Sequence, residues 1–342
     1  MLGESSVIGR LDHVALRVAD LDEASARWAA QFGLTLRARG EGTATLSCDD
    51  EPRALELIAC APGEHPGCAR VGWELARDCS LDEAAARLDG LGVAYERGPD
   101  RLALADLEGN PLQLLAYRTP GSRLVAHARP PGPGLPVGHP RKLGHVNFLT
   151  ADIHGQKDFY VDVLGMRLTD WLGDGGVWFH IGSEHHVMAL VQTQNPPPHS
   201  HFHHLAFDVV DIGQMRDALD HLGRHGRWLG WGPTRHGVGG NIASYVRIVE
   251  EECFVELYCD MEQLAPDHEP RRWPDDRYSS NTWGPLPPRS YFRFDAAAVE
   301  SERESLEMRG VPLPPVPPDR GERASNSGRA TFPASPAEGG AR

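Results

Sequence analysis

Three residues in the second half of the chain could share one metal ion: His145, His204 and Glu256. Each is bracketed by apolar neighbours: Val146 and Phe148, Leu205 and Phe207, Val255 and Leu257. That alternation reads as one inward-facing position on each of three strands. Two imidazoles and one carboxylate on the same face of a metal form the facial triad of non-haem Fe(II), which leaves coordination positions open for substrate and O2. A single buried histidine reads more simply as a hydrogen-bonded core residue; three such strand positions together favour the metal. Of 17 histidines, 13 lie between His139 and His236. The crowding points to the same half of the chain without selecting residues.

The elements that must position these side chains come from a repeat. Leu11-Asp-His-Val-Ala-Leu-Arg-Val-Ala-Asp20 matches Leu143-Gly-His-Val-Asn-Phe-Leu-Thr-Ala-Asp152 at an offset of 132 residues, continuing through Gly33/Gly165 and Leu36/Leu168. In each copy an apolar strand runs into Ala-Asp, which suits a helix N-cap. Helical stretches follow at 21–32 and 153–164, then a turn glycine and further strands. A second unit of the same type lies within each copy: strands at 70–76 and 203–209, helices at 81–91 and 212–222, closing strands at 111–117 and 254–259. The expected fold is therefore α+β, four βαβββ modules in two tandem domains at 9–118 and 143–262. Residues 119–142, with Pro130, Pro131, Pro133, Pro136 and Pro140, read as a linker. Residues 263–309 read as an extension over the site, and 310–342, without periodic apolar residues, as a disordered tail. Two modules side by side leave one sheet face each, and those faces would curl around a shared concavity.

The first copy serves as an internal control. His13 matches His145, but Val71 falls where His204 stands and Gln113 where Glu256 stands. The first domain is thus expected to keep the scaffold and lack the metal.

Composition bounds the partners. The 342 residues carry 34 Lys and Arg against 48 Asp and Glu, a net charge of −14, which argues against nucleic acid. No apolar run reaches the ~18 residues of a membrane span, and Met1 to Asp12 shows no secretory signal. Six cysteines without a C-x-x-C pair fit a reduced, cytoplasmic setting. The Gly237/Gly239/Gly240 group has neither phosphate-loop spacing. Glu250, Glu251 and Glu252 read as a solvated turn. His180, His199, His201, His221 and His225 read as surface groups, with His201 near enough to the ligand strand to be a weak pocket candidate. His185 is expected to face solvent, since strand neighbours alternate.

The repeat and the triad resemble the vicinal oxygen chelate superfamily, glyoxalase- and dihydroxybiphenyl-dioxygenase-like, and within it the two-domain type I extradiol catechol dioxygenases. The most specific stretch is His236-Gly-Val-Gly-Gly-Asn-Ile-Ala-Ser-Tyr245 leading to Glu256. The usual Asp-Pro-x-Gly turn is replaced by Val249-Glu-Glu-Glu-Cys253. The resemblance implies Fe(II), or Mn(II) as an alternative, held by His145, His204 and Glu256, with O2 as co-substrate. His186 matches the acid–base histidine, and His236 and Tyr245 match the groups that orient the substrate oxygens. Asn147 and Trp178 match pocket residues. Trp231 stands where a substrate-carboxylate-binding Arg would be, so a neutral, apolar-substituted catechol is the expected small-molecule substrate and meta ring cleavage the expected reaction. Asn281-Thr-Trp-Gly284 resembles the segment that lies over the pocket. A homo-oligomer is expected from the family and the edge strands. A dioxygenase of the 4-hydroxyphenylpyruvate type should lack His186, His236 and Tyr245 together. A glyoxalase would use another ligand set, and a resistance module that only sequesters an aromatic ligand needs no iron.

Overall fold

A computed structural model of the protein describes residues 6–48, 53–118, 140–194, 201–288, 291, 300 and 304. Most of the linker, His199 and the 310–342 tail lie outside the described residues.

The first half runs β1 (Ile8–Val18), α1 (Leu21–Phe32), β2 (Thr35–Gly40), β3 (Thr43–Ser47), β4 (Leu55–Ala59), β5 (Gly67–Leu75), α2 (Leu81–Gly90), β6 (Tyr95–Arg97), β7 (Arg101–Ala105) and β8 (Pro111–Leu115). The second runs β9 (Lys142–Thr150), α3 (Ile153–Asp162), β10 (Arg167–Leu172), β11 (Gly176–His180), β12 (Met188–Gln192), β13 (Phe202–Asp208), α4 (Ile212–Arg224), β14 (Leu229–His236), β15 (Ile242–Ile248) and β16 (Cys253–Cys259). Then come β17 (Arg271–Trp273), α5 (Arg277–Ser280) and β18 (Asn281–Trp283). The order is βαβββ four times, followed by an addition. Helix starts follow the sequence signals. Asp20 accepts from the Asp22 and Glu23 amides, Asp152 from Gly155, and Asp211 from Gln214, while Ser80 and Glu83 form a capping box.

Among the described residues the first sheet is ordered β2-β3-β4-β1-β5-β8-β7-β6 and the second β17-β10-β11-β12-β9-β13-β16-β15-β14-β18. In both, the first strands of two modules lie side by side at the centre. The addition extends both edges of the second sheet, β17 beside β10 and β18 beside β14.

Strand register corrects the comparison of the two copies. His145 pairs with Ala206 and Asn147 with His204; in the first sheet His13 pairs with Gly72 and Ala15 with Arg70. The residue in the place of His204 is therefore Arg70, not Val71. Gly72 takes the place of Ala206, which sets the second modules one residue further apart than the sequence match, and a one-residue slip exchanges the two faces of a strand. Gln113 does stand opposite Gly72 as Glu256 stands opposite Ala206.

The two domains share one apolar core, in which Phe32 of α1 meets Phe207 of β13 at 6.4 Å between ring centroids. The acidic run belongs to this interface. Glu251 is buried and accepts two bonds from Arg27, at 3.0 and 2.5 Å, while Glu250 accepts from Arg227 at 2.7 and 3.0 Å. The expected solvated turn is instead an anchor for α1, with Glu252 at φ 51° closing the β15–β16 hairpin. Removing one partner of a buried ion pair strands the other charge. Glu251→Ala should therefore destabilise the protein by about 3–5 kcal/mol, read by chemical denaturation. Pairing Arg27→Met with Glu251→Leu should recover most of the loss; a wild-type midpoint for Glu251→Ala would contradict this role.

Candidate metal centre and cavity

His145, Ala206, Glu256, Tyr245 and Trp231 form one lateral row across β9, β13, β16, β15 and β14. His204, Asn147, Ala189, Trp178 and Asp170 form the adjoining row across β13, β9, β12, β11 and β10. Side chains of such rows share one face. Residues of both rows, from strands near opposite edges of the sheet, line a single cavity, so the sheet wraps around it.

Among the described residues, His145, His204 and Glu256 form the group that could hold a metal, their ligand atoms within 4.8 Å of one another and all buried. Nε2 of His145 and Nε2 of His204 approach the same carboxylate oxygen of Glu256, at 2.9 and 3.2 Å. The other oxygen accepts from Asn241 at 3.0 Å. Burial by itself would push the Glu256 carboxyl up, but the two imidazoles beside it hold it well below the usual carboxylate range. Burial lowers His204, so the ring presents a lone pair rather than a charge. Two imidazole nitrogens and a carboxylate oxygen fit a divalent metal of the iron or manganese kind.

Support behind the ligands is equally specific. Nε2 of His203 donates to the Tyr291 carbonyl at 2.5 Å, so its Nδ1 accepts from Nδ1 of His204 at 2.8 Å, and Nε2 of His204 is left bare for a metal. The Tyr258 ring packs on His145 at 5.0 Å. Gly144 makes that possible, since a Cβ there would collide with the Tyr258 hydroxyl. In the first copy the same position is Asp12, which bonds His13 Nδ1 at 2.8 Å. Arg70 pairs with Glu56 at 2.7 Å, and Glu56 lies 3.4 Å from His13. Ion pairs thus stand where the second copy has its candidate ligands.

The cavity has a volume of about 390 Å³, within the range of small-molecule sites. His186, His236, Tyr245, Asn147, Trp178 and Trp231 all line it. His236 Nε2 meets the Tyr245 hydroxyl at 2.8 Å, and Trp231 stacks on Tyr245 at 4.9 Å and 10°. Burial lowers His186 well below the usual imidazole range, with His145 and His185 adding to the effect, and it raises Tyr245. The buried Asn147 Oδ1 has no hydrogen-bond partner among the described residues and is available to a ligand. One row beyond Asn147, Ala189 and Trp178 come Val191, Gly176 and Leu172. Two residues per row place that apolar end roughly 7 Å further along the strands.

His201 does not join the cavity; its Nδ1 contacts Glu108 of the first domain at 3.2 Å and the Leu149 carbonyl at 3.1 Å. His185 and His180 are not surface groups. His185 is fully buried because 181–187 is an irregular bend rather than a strand, so alternation does not apply. His180 bonds Thr169 at 2.7 Å.

The sequence profile of the Glyoxalase/Bleomycin resistance protein/Dioxygenase superfamily matches residues 10–121 and 142–247. The chain belongs to this superfamily. Metapyrocatechase 2 of Cupriavidus necator is 28% identical over 316 residues, covering 83% of this chain and 91% of that protein. A homoprotocatechuate 2,3-dioxygenase of B. fuscum superposes with a TM-score of 0.70 at 21% identity, over 85% of this chain and 83% of its own. A Mn(II)-bound glyoxalase of Novosphingobium aromaticivorans superposes with a TM-score of 0.69 at 20% identity, over 83% and 94%. These structures share the superfamily fold.

Tyr291, Asn241 and Asp170 escaped the sequence reading. Tyr291 lies beyond the repeat and has no partner copy to be compared with. Asp170 did carry a signal: at the 132-residue offset its counterpart is Ala38, so the acid is peculiar to the second copy. Metal content separates the ligands from their neighbours. Glu256→Gln and His204→Ala should lose nearly all bound metal in elemental analysis, whereas Trp178→Phe should keep it; retention in both ligand variants would refute the triad.

Proposed function

We propose that the protein is an Fe(II)-dependent extradiol dioxygenase that opens the ring of a neutral, apolar-substituted catechol with O2; Mn(II) satisfies the same donor set. The observation that carries this reading is the meeting of the triad with His186, His236 and Tyr245 in one cavity. Neither a sequestering module nor the 4-hydroxyphenylpyruvate type of dioxygenase calls for that combination.

When bound, the metal supplies a template for both catechol oxygens and O2 and stabilises the charge that develops. The chain's own residues do the rest. His186 takes a proton from a substrate hydroxyl and returns it later. The His236–Tyr245 pair orients the substrate oxygens, and Trp231, stacked behind Tyr245, holds that pair in place. Asn147 and Trp178 flank the ring. Neither Lys nor Arg lines the cavity among the described residues, and Asp275 does, which supports a substrate without a carboxylate. The row Leu172, Gly176 and Val191 would take the apolar substituent.

The same reading divides the chain into a metal-free domain (9–118), a linker (119–142), a catalytic domain (143–262) and an extension (263–309). Ser279, Ser280, Pro287 and Tyr291 on the cavity wall support the last assignment. The fully exposed edge strand β2 supports a homo-oligomer. None of the six cysteines is in a disulfide, in keeping with a reduced cytoplasmic setting. No described helix is long and apolar enough to cross a membrane.

Anaerobic reconstitution with Fe(II), then a panel of catechols in air, tests the activity. A yellow ring-opened product with matching O2 uptake is expected; catechol binding without O2 uptake for every member would overturn it. His186→Phe should lower kcat by about 10²–10⁴-fold with metal content unchanged. A Cβ on Gly176 would meet the Trp178 indole at 2.7 Å. Gly176→Val should therefore raise KM for substituted catechols more than for catechol itself, and equal effects would place the substituent elsewhere.

A further inference from the structure

We propose that Asp170 and His185 are positioning residues that fix the tautomer of His186, so that its Nδ1 carries the proton and its Nε2 faces the cavity as a bare acceptor. This rests on the proton-transfer role given to His186 above.

The argument follows a chain of hydrogen bonds whose direction is set at one end. Asp170 is fully buried on β10. Its Oδ1 accepts from the Arg271 amide and Nε, both at 3.0 Å, and its Oδ2 from Trp273 Nε1 and Arg271 Nη2, both at 2.8 Å. All four are obligate donors. Burial would raise the Asp170 carboxyl, but bonds from His185, Arg271 and Trp273 hold it far below the usual range. It is therefore an acceptor only. His185 Nε2, 3.0 Å from Oδ2, must donate. The tautomer of His185 that this bond selects has its lone pair on Nδ1. That atom lies 3.0 Å from Nδ1 of His186, which must supply the proton of the contact. What remains on His186 is an unprotonated Nε2, and its ring lines the cavity.

The surroundings hold this arrangement. The His185 amide donates to the Glu262 carbonyl, the Glu262 amide to the Gly239 carbonyl, both at 2.9 Å, and Arg271 grips the Glu262 carboxylate at 2.7 and 2.9 Å. Gly239 has φ +82°, and a Cβ on it would stand 3.1 Å from His185 Nδ1, the atom that accepts from His186. The glycine group that matched no phosphate loop thus makes room for this bond. The same grammar occurs at His203–His204, where a backbone carbonyl plays the part of Asp170 and the freed Nε2 meets the metal site. A buried carboxylate fixing a histidine tautomer by accepting from its far nitrogen is the logic of catalytic triads, here extended by one imidazole. The pair orients; no proton has to leave His186 through it.

Long-range ¹H–¹⁵N correlation spectra of the full chain, metal-free and loaded with diamagnetic Zn(II), read the tautomers directly. We expect His186 protonated on Nδ1 and His185 on Nε2, with assignments from His186→Phe and His185→Asn. His186 found protonated on Nε2 would overturn the proposal. In turnover, His185→Leu should lower kcat toward the His186→Phe level, within about 10²–10⁴-fold of wild type, with KM and metal content near wild type. His185→Asn, which can keep an acceptor near the Nδ1 position, should recover part of that loss. Wild-type kcat in His185→Leu, or equal loss in both variants, would contradict it. Asp170→Asn should shift His186 toward the Nε2-protonated form; should it fail to fold, the His185 pair still decides. Absence of turnover in the wild type would defeat the dioxygenase reading and leave the tautomer result standing.

Discussion

Two imidazole nitrogens and a carboxylate oxygen, buried within 4.8 Å of one another, are what the rest of the structure serves. An ionised carboxylate in a dry interior is costly unless something positive or hydrogen-bonding faces it. Here two imidazoles and one amide face it. The ligands are brought there by cross-strand register. Ala206 separates His145 from Glu256 in one row, and His204 stands one row further on. A small residue between two ligands leaves the space they converge on. Strand positions hold these side chains more rigidly than loops would, and Asn241 and the Tyr291 carbonyl support them from outside the strands.

The first domain shows what the scaffold does when that demand is lifted. Its central pair of strands, helices and closing strand repeat those of the second domain. Its ligand positions have become His13, Arg70 and Gln113, enclosed by ion pairs among Asp12, Arg10, Glu56, Glu74 and Arg118. An arginine in place of a ligand histidine occupies the space with a fixed positive charge. The domain packs on the other: α1 brings Phe32 and Arg27 against the second half, and Glu108 receives His201.

Much of this was legible in the sequence, since the repeat gave both the modules and an internal comparison. Helix starts were visible as Asp20, Asp152, Ser80 and Asp211. The candidate ligands His145, His204 and Glu256 stood out because the first copy has no matching pair for His204 and Glu256. What escaped depends on geometry that pattern cannot carry. Strand pairing sets the second modules one residue further apart than the sequence match, which puts Arg70 in the place of His204. A bend before β12 turned His185 inward, where alternation had it facing out. Glu251 reads as a surface charge until α1 of the other domain is laid over it. Tyr291 lies where no repeat exists to compare. In each case the missing information is a long-range contact or a local irregularity rather than a propensity.

The central claim is that the second domain places a divalent metal, O2 and a catechol together so that both oxygen atoms enter the ring-opened product. Turnover under ¹⁸O2 with mass spectrometry of the rapidly trapped product tests it most directly. Both labelled atoms should appear in the product, with one O2 consumed per catechol. Unlabelled product, or catechol bound and released unchanged while O2 is not consumed, would contradict the account.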